Sequence, residues 1–318
     1  MATSPTQFGR AANLFLANAS SALDLSNMHF KFDVFASDVE TPNTAVIRVY
    51  NLSQQTVNEA ISEYSSVVLQ AGYGDQPGEI FRGTVKQFRK GKERNVDSYL
   101  EILAADGDVG YNFGFVNKTL EAGATGLQVF QALADSLGYP ADPAAQSYLG
   151  GTGGILPRGK VLFGLARSYM RDLATTRNLR WSIQKGVLTL IPLDAYLPGD
   201  AVVINSATGM VGVPEATDQG ITVQMLLNPQ IKMGQSIRLN NKDITTTIIK
   251  QQFFPGYTDL NLVATVDSSD DGTYRVIVVE HTGDTRDQEW YTKVTCLLIS
   301  QSAQGTSNPT VQPYPGSG

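Results

Sequence analysis

The sequence predicts a mainly β protein with an α+β insert, in which two β regions flank a small helical one. Three observations carry this. Residues 10 to about 115 alternate apolar and polar side chains with period two, and from about 116 to 198 the apolar positions recur at helical spacing. After Leu197-Pro-Gly-Asp the period of two returns. The resulting division is 1–115, 116–198 and 199–300, followed by a tail over 301–318.

In the first region Phe30, Phe32 and Val34 alternate with polar neighbours. Three strands then stand around a short helix. Ala45-Val-Ile-Arg-Val-Tyr-Asn-Leu-Ser is the first, Val67-Val-Leu-Gln-Ala is a buried run closed by the turn Gly72-Tyr-Gly-Asp, and Glu79-Ile-Phe-Arg-Gly-Thr-Val-Lys-Gln is the third. Tyr99 to Ala104 adds another. Between them Ser53 caps a helix to Ile61 that carries Val57, Ala60 and Ile61, a plug for one end of a small barrel.

In the insert, Leu127, Phe130, Leu133 and Leu137 share one helical face, with Thr125 as N-cap and Gly138 as stop. A second helix carries Leu162, Leu165, Tyr169, Met170 and Leu173. It leads into a hairpin that turns at Lys185-Gly186 and packs Trp181 and Ile183 on the helices. Gly150-Gly-Thr-Gly-Gly is the loop between the two helices.

In the last region Ala201–Asn205, Ile221–Leu227, Ser236–Leu239, Tyr274–Glu280 and Trp290–Leu298 read as strands between Asn-Pro, Asn-Asn-Lys-Asp and Asp-Asp-Gly turns. Ile221-x-Val223-x-x-Leu226 faintly echoes Ile47-x-Val49-x-x-Leu52; an internal duplication would leave such an echo, but many β-strands match so short a pattern, and chance likeness is the plainer reading. Residues 301–318 lack packing side chains and hold prolines that favour extended chain, so the tail is expected to be disordered alone, with Tyr314 as an anchor in an assembly.

Of 318 residues, 42% are hydrophobic and 17% charged. That suffices for two or three domains with good cores, and a low-charge surface goes with extensive subunit contacts. A formal charge of −6 and a pI near 5.0 argue against a dedicated nucleic-acid binder, which needs Lys and Arg to neutralise phosphates. An acidic wall lets DNA slide past without sticking, although solubility is the plainer reason for the charge. The single cysteine, Cys296, excludes an intramolecular disulfide, and two histidines, His29 and His281, cannot supply a structural zinc cluster. Cys296 lies on a strand pattern and reads as a buried small hydrophobe. The N-terminus shows no signal peptide pattern, and no apolar run reaches the roughly 18 residues of a membrane helix. The expectation is a product soluble in a cytoplasm, with no stable membrane association.

Several motifs invite chemistry. Neither Gly72-Tyr-Gly-Asp nor Gly150-Gly-Thr-Gly-Gly has phosphate-cradling spacing, so both read as turns. Lys86-Gln-Phe-Arg-Lys-Gly-Lys-Glu-Arg, the only basic cluster, reads as a solvated hairpin tip centred on Gly91 or a rim contact to a partner ring, ahead of a DNA contact. Asp270-Asp-Gly and Asp106-Gly-Asp lack the alternating ligands of a calcium loop and any context that would raise one carboxylate, so they too read as turns. His281 stands near Asp284 and Asp287, but no serine lies in a Gly-x-Ser-x-Gly elbow. No catalytic, cofactor-binding or metal-binding residue is therefore assigned, and no enzyme activity is expected.

The strands from Ala45 to Gln87 closely resemble the first tube-like domain of phage tail baseplate hub proteins. Leu23-Asp-Leu-Ser-Asn-Met-His-Phe-Lys-Phe-Asp-Val resembles that family's opening strand, and Thr41-Pro-Asn-Thr the turn after it. Gly220-Ile-Thr-Val-Gln-Met-Leu-Leu-Asn-Pro-Gln-Ile-Lys-Met-Gly-Gln, Gly272-Thr-Tyr-Arg-Val and Gly283-Asp-Thr-Arg-Asp-Gln-Glu-Trp resemble the second tube-like domain. The resemblance covers most of residues 10 to 300. It implies two tube-like β-barrel or sandwich domains flanking a small α/β domain on the outside of a ring. It further implies a homotrimer whose six β units stack on a six-fold tube and hand over to a three-fold spike. The partners it implies are the tail tube ring, the central spike, the tape measure protein and other baseplate proteins, with DNA only as passing cargo. The place it implies is the virion, after assembly in the host cytoplasm. Two other classes stay open. One is another tube-family part, such as a tube terminator, distal tail protein or secretion spike, and the other is a tail-associated cell-wall hydrolase.

Overall fold

The computed structural model describes residues 9–74, 77–93, 96–150, 156–217, 220–239, 245–246 and 272–298. The first region holds β1 (Arg10–Ala17), β2 (Ala22–Asp24), β3 (Phe30–Ser37), β4 (Asn43–Tyr50), α1 (Gln54–Glu63), β5 (Ser66–Tyr73), β6 (Gly78–Glu93) and β7 (Asp97–Asp106). Alternation does what it predicts on β3, where Phe30, Phe32 and Val34 are buried and Asp33 and Phe35 face out. The segment from Leu23 to Val34 is two strands, β2 and β3, rather than one. Ser53 caps α1 by accepting the Thr56 N–H at 3.1 Å, and Val57 and Ala60 are buried, but Ile61 is exposed. Strand β6 runs through Gly91 and pairs Glu93 with Asp97, so the hairpin reverses beyond the glycine.

The insert holds α2 (Asp108–Phe113), β8 (Phe115–Leu120), α3 (Gly126–Leu137), α4 (Ala145–Leu149), β9 (Lys160–Leu165), α5 (Ala166–Thr176), β10 (Leu179–Gln184) and β11 (Val187–Pro192). Helix α3 begins with a capping box between Thr125 and Gln128 and ends at Gly138 in the left-handed region, as its sequence predicts. Leu162 and Leu165 do not belong to the second helix. They lie on β9, which pairs with β8, and the helix starts only at Ala166. The β10–β11 hairpin turns at Lys185 (φ 52°) and Gly186 (φ 76°), the two positive angles that match the strand twist. Trp181 and Ile183 are fully buried among the helices.

The last region holds β12 (Val202–Val203), β13 (Met210–Thr217), β14 (Gly220–Leu226), β15 (Ser236–Leu239), β16 (Thr245–Thr246), β17 (Gly272–Asp284) and β18 (Trp290–Leu298). Its strand order β13-β14-β18-β17-β15 repeats the first region's β3-β4-β7-β6-β5. Both long fourth strands carry a bulge where their ladder shifts, between Val85 and Gln87 in one and between Val276 and Val278 in the other. The sheet registers set Val223 where Ile47 stands, since Val223 faces Val294 and Ile47 faces Ile102. The sequence echo thus picked the right strands but slipped by two residues, which preserves the buried face. Strand β3 also pairs with β17, so one continuous sheet runs through both β regions. Three apolar clusters lie at residues 14–104, 111–190 and 191–296, with Leu227 and Trp290 crossing over to complete the first.

Candidate assembly surface

The junction between the β regions is the feature that the fold builds most deliberately. Seven paired positions, Lys31↔Asp284 to Ser37↔Val278, join β3 to β17. At one end Asp284 is almost fully buried. Its carboxylate accepts His29 Nε2 at 2.8 Å, the Arg286 N–H at 2.8 Å and the Asp287 N–H at 3.1 Å, with Lys31 Nζ at 3.2 Å. Burial pushes this carboxyl up, but these donors together outweigh it and hold it below the usual range.

At the other end Asp38 ties all three regions. It follows β3, takes Arg180 of β10 at 2.7 Å, and lies 3.6 Å from Arg275 of β17. Arg275 also donates to the Pro192 carbonyl at the end of β11. Burial pushes the Asp38 carboxyl up despite both arginines, and burial likewise pulls the Arg275 guanidinium down. These partners lie 142 and 237 positions from Asp38 along the chain, so no local pattern could have announced them.

The sequence-level motifs resolve as follows. His281 is buried and hydrogen-bonds Thr292 Oγ1 at 2.8 Å, with its pKa pulled down by burial to about 3. It does not meet Asp284, which belongs to His29. Cys296 is fully buried between strands, and burial raises its thiol pKa. Lys86 pairs with Asp108, and Arg89 lies 3.5 Å from Glu101, which Arg48 holds at 2.7 Å. Acidic neighbours therefore engage part of the basic cluster. Gly72 and Tyr73 are the end of β5, with Gly74 turning at φ 71°. Residues 151–154 and 270–271, the dipeptide Gln301-Ser and the rest of the tail with Tyr314 lie outside the described residues.

Asp106 corrects one expectation. It ends β7, is 2% exposed, and accepts the Gly186 N–H at 3.2 Å. Burial raises its carboxyl to about 7, which the reading of Asp106-Gly-Asp as an ordinary turn did not foresee. The cause is the insert hairpin, which closes over a carboxylate that the local sequence leaves at a strand end. Lys185 in the same turn is half-buried, and desolvation pulls its pKa down, with its Nζ donating to the Glu79 carbonyl at 2.5 Å.

One exposed face was missed altogether. Strands β8 and β9 bury Val116 and Leu162 and turn Phe115, Val161, Phe163 and Leu165 outward, with the Phe115 and Phe163 rings in edge contact at 5.2 Å. Phe113, 75% exposed, stands at the end of α2 next to this ribbon. The available signal was the short continuous apolar run Val161-Leu-Phe-Gly-Leu, which fits a strand or a helix, and its two-residue burial alternation is invisible in sequence because both faces are apolar. Among the described residues no three His, Cys, Asp or Glu side chains are grouped to hold a metal, and no helix is long and apolar enough to cross a membrane.

Residues 170–244, from within α5 to just before β16, match the family model "Baseplate hub gp41". No curated protein sequence matches the chain. By fold the chain is similar to a tail protein from Neisseria meningitidis MC58, at 8% identity and TM-score 0.56, covering 91% of this chain and 96% of that one. It is also similar to the prophage MuSo2 43 kDa tail protein from Shewanella oneidensis, at 8% identity and TM-score 0.53, covering 90% and 98%. At such identity these two likenesses speak for the fold alone. Residues 170–244 thus match a baseplate hub family model, and the chain as a whole has a fold similar to that of two tail proteins.

Proposed function

We propose that this chain is the structural baseplate hub of a phage tail, a homotrimeric ring that connects the tail tube to the central spike and lets DNA and the tape measure protein pass during ejection. The observation that carries the proposal is the recurrence of one five-strand order in two regions joined by a continuous ladder. One chain then counts as two ring units, and three chains supply six, the number that lets a three-fold spike meet a six-fold tube. The three apolar clusters, at residues 14–104, 111–190 and 191–296, favour three domains near the expected 1–115, 116–198 and 199–300, with the insert entered a few residues earlier, at α2. The insert lies outside the ring, where its exposed Phe115–Phe163 ribbon is a surface for other baseplate proteins. The role is mechanical, with no catalysis. The protein assembles in the host cytoplasm and ends in the virion tail.

Light scattering of the purified protein over a range of concentrations tests this. A trimer is expected. A hexamer would replace the hub with another tube-family part, and loss of all binding to tube and spike proteins would remove the role itself.

A further inference from the structure

The exposed β8–β9 ribbon of the insert has one sealed edge and one open edge. The Tyr169 hydroxyl accepts the Phe163 N–H at 3.2 Å and donates to the Phe163 carbonyl at 3.1 Å, so both groups point away from β8 and already have a partner. Pairs in an antiparallel ladder alternate between hydrogen-bonded and non-hydrogen-bonded types. Phe163 faces Asn117 in a pair of the second type, and so Leu165↔Phe115 and Val161↔Thr119 are of that type too. The Ala166 N–H, which reaches the Gly114 carbonyl, fits the same alternation. The backbone N–H and C=O groups of Phe115, Asn117 and Thr119 therefore point outward from the other edge of the ribbon. Among the described residues no strand pairs with that edge.

Beside the open edge lies a groove of about 430 Å³. Thr119 and Leu120 of β8 line one side, Gln128 and Gln131 of α3 the other, and the small side chains of Ala124 and Ala132 leave room between them. We propose that an extended segment of another protein pairs antiparallel with β8 in this groove and adds a third strand to the ribbon. Its side chains opposite Phe115, Asn117 and Thr119 fall on the outer face, where Phe115, Val161, Phe163 and Leu165 are exposed, and are apolar. Its side chains opposite Val116 and Lys118 turn into the groove, where the amides of Gln128 and Gln131 suit uncharged polar groups such as Ser, Thr and Asn. The occupant is thus a strand of alternating character over about five residues, facing Phe115 to Thr119. It gives a binding mode to the insert surface proposed above, and it rests on that reading for the identity of the partner but not for the pairing.

Charge favours a foreign strand over a second copy of this chain. Two β8 strands pairing about Asn117 would set each Lys118 diagonal to the other, a destabilising contact of like charges. In the single chain Lys118 turns instead to α3, with its Nζ 3.7 Å from Asp135 Oδ2, and so does not guard the edge as edge lysines commonly do. Strand β8 also holds no proline or bulge that would block pairing. The seal that Tyr169 places on β9 has no equivalent on β8 among the described residues.

The test uses the full-length chain and a fluorescent peptide with blocked ends, Ser-Val-Thr-Phe-Thr-Val-Asn, which carries the required alternation. Binding is followed by anisotropy and by amide hydrogen exchange of the protein. Binding below about 1 mM peptide is expected, with protection of the Phe115, Asn117 and Thr119 amides. Methylating the backbone nitrogen of the peptide Phe, whose N–H faces β8, is expected to weaken binding about tenfold, whereas methylating that of a neighbouring Thr, whose N–H faces away, should change it less than about twofold. Asn117→Pro removes an outward N–H that the β8–β9 ladder does not use, so a similar loss of about tenfold is expected with the fold retained; should that variant not fold, the methylated peptides still decide. No binding at about 1 mM peptide overturns the site, and a trimer that still binds tube and spike proteins then leaves the hub reading standing. Binding indifferent to both methylations is adhesion to the Phe115–Phe163 face and overturns the pairing. Protection that grows with protein concentration in the absence of peptide makes a second copy the occupant and overturns the foreign strand. Peptide binding by a chain that binds neither tube nor spike proteins keeps the pairing and overturns the hub reading.

Discussion

Replacing Asp106 by Asn is expected to flatten the dependence of stability on pH. The Asp106 carboxyl has an ordinary value of 3.8 and is raised to about 7 in the fold, chiefly by burial under the β10–β11 hairpin. The groups facing it are the Lys185 and Gly186 N–H donors of the hairpin turn and the charges of Glu79, Arg82 and Lys185. A folded pKa above the unfolded one means that the native state holds the proton more tightly. The stabilisation is therefore complete below the unfolded pKa and is lost as pH rises through the folded one. Between pH 5 and pH 8 this group alone removes about 3 kcal/mol, at about 1.4 kcal/mol per pH unit until pH 7. Asn keeps an acceptor for Gly186 and carries no charge, so the variant escapes that loss. Urea unfolding at pH 5, 6, 7 and 8 measures it, and the gap between wild type and Asp106→Asn should change by about 3 kcal/mol in favour of the variant as pH rises. Parallel pH profiles for the two proteins would refute the reasoning and mean that Asp106 ionises freely in the fold.

Asp38→Ala leaves Arg275 and Arg180 without their carboxylate at the junction, where Arg275 is 3% exposed. A loss of about 3–5 kcal/mol is expected in denaturant unfolding, and a loss below about 1 kcal/mol would show that solvent screens the pair. Trp290→Ala removes a ring in edge contact with Phe32 at 5.4 Å and an indole N–H donor to the Gly72 carbonyl at 3.3 Å. It should cost about 3–5 kcal/mol in the same assay, and because Trp290 completes the first region's cluster from the last region, those two regions should unfold together. Two separated transitions would count against that coupling.

How much was legible can be judged from particular residues. Helix α3 was legible because everything that makes it is local, from the Thr125 cap through the apolar face to the Gly138 stop. The turn at Lys185-Gly186 was legible because Gly186, which accepts positive φ freely, stands between two β-patterned runs; the positive φ at Lys185 had no such signal. Leu162 and Leu165 were misplaced because apolar residues three apart fit a helix face as well as two positions on a strand whose outer face is also apolar.

The sequence alone determined the mainly β class, the helical insert and the resemblance to tail hub proteins. Periodicity, caps and turns are short-range properties written in neighbouring side chains. Tertiary structure alone decided the continuous ladder from β3 to β17, the Asp38–Arg180–Arg275 tie and the burial that raises Asp106. It also decided the register of the internal repeat, which places Val223 rather than Ile221 level with Ile47. Each of these depends on groups far apart in the chain, and their energies arise from desolvation and strand pairing that exist only once the three regions have closed on one another.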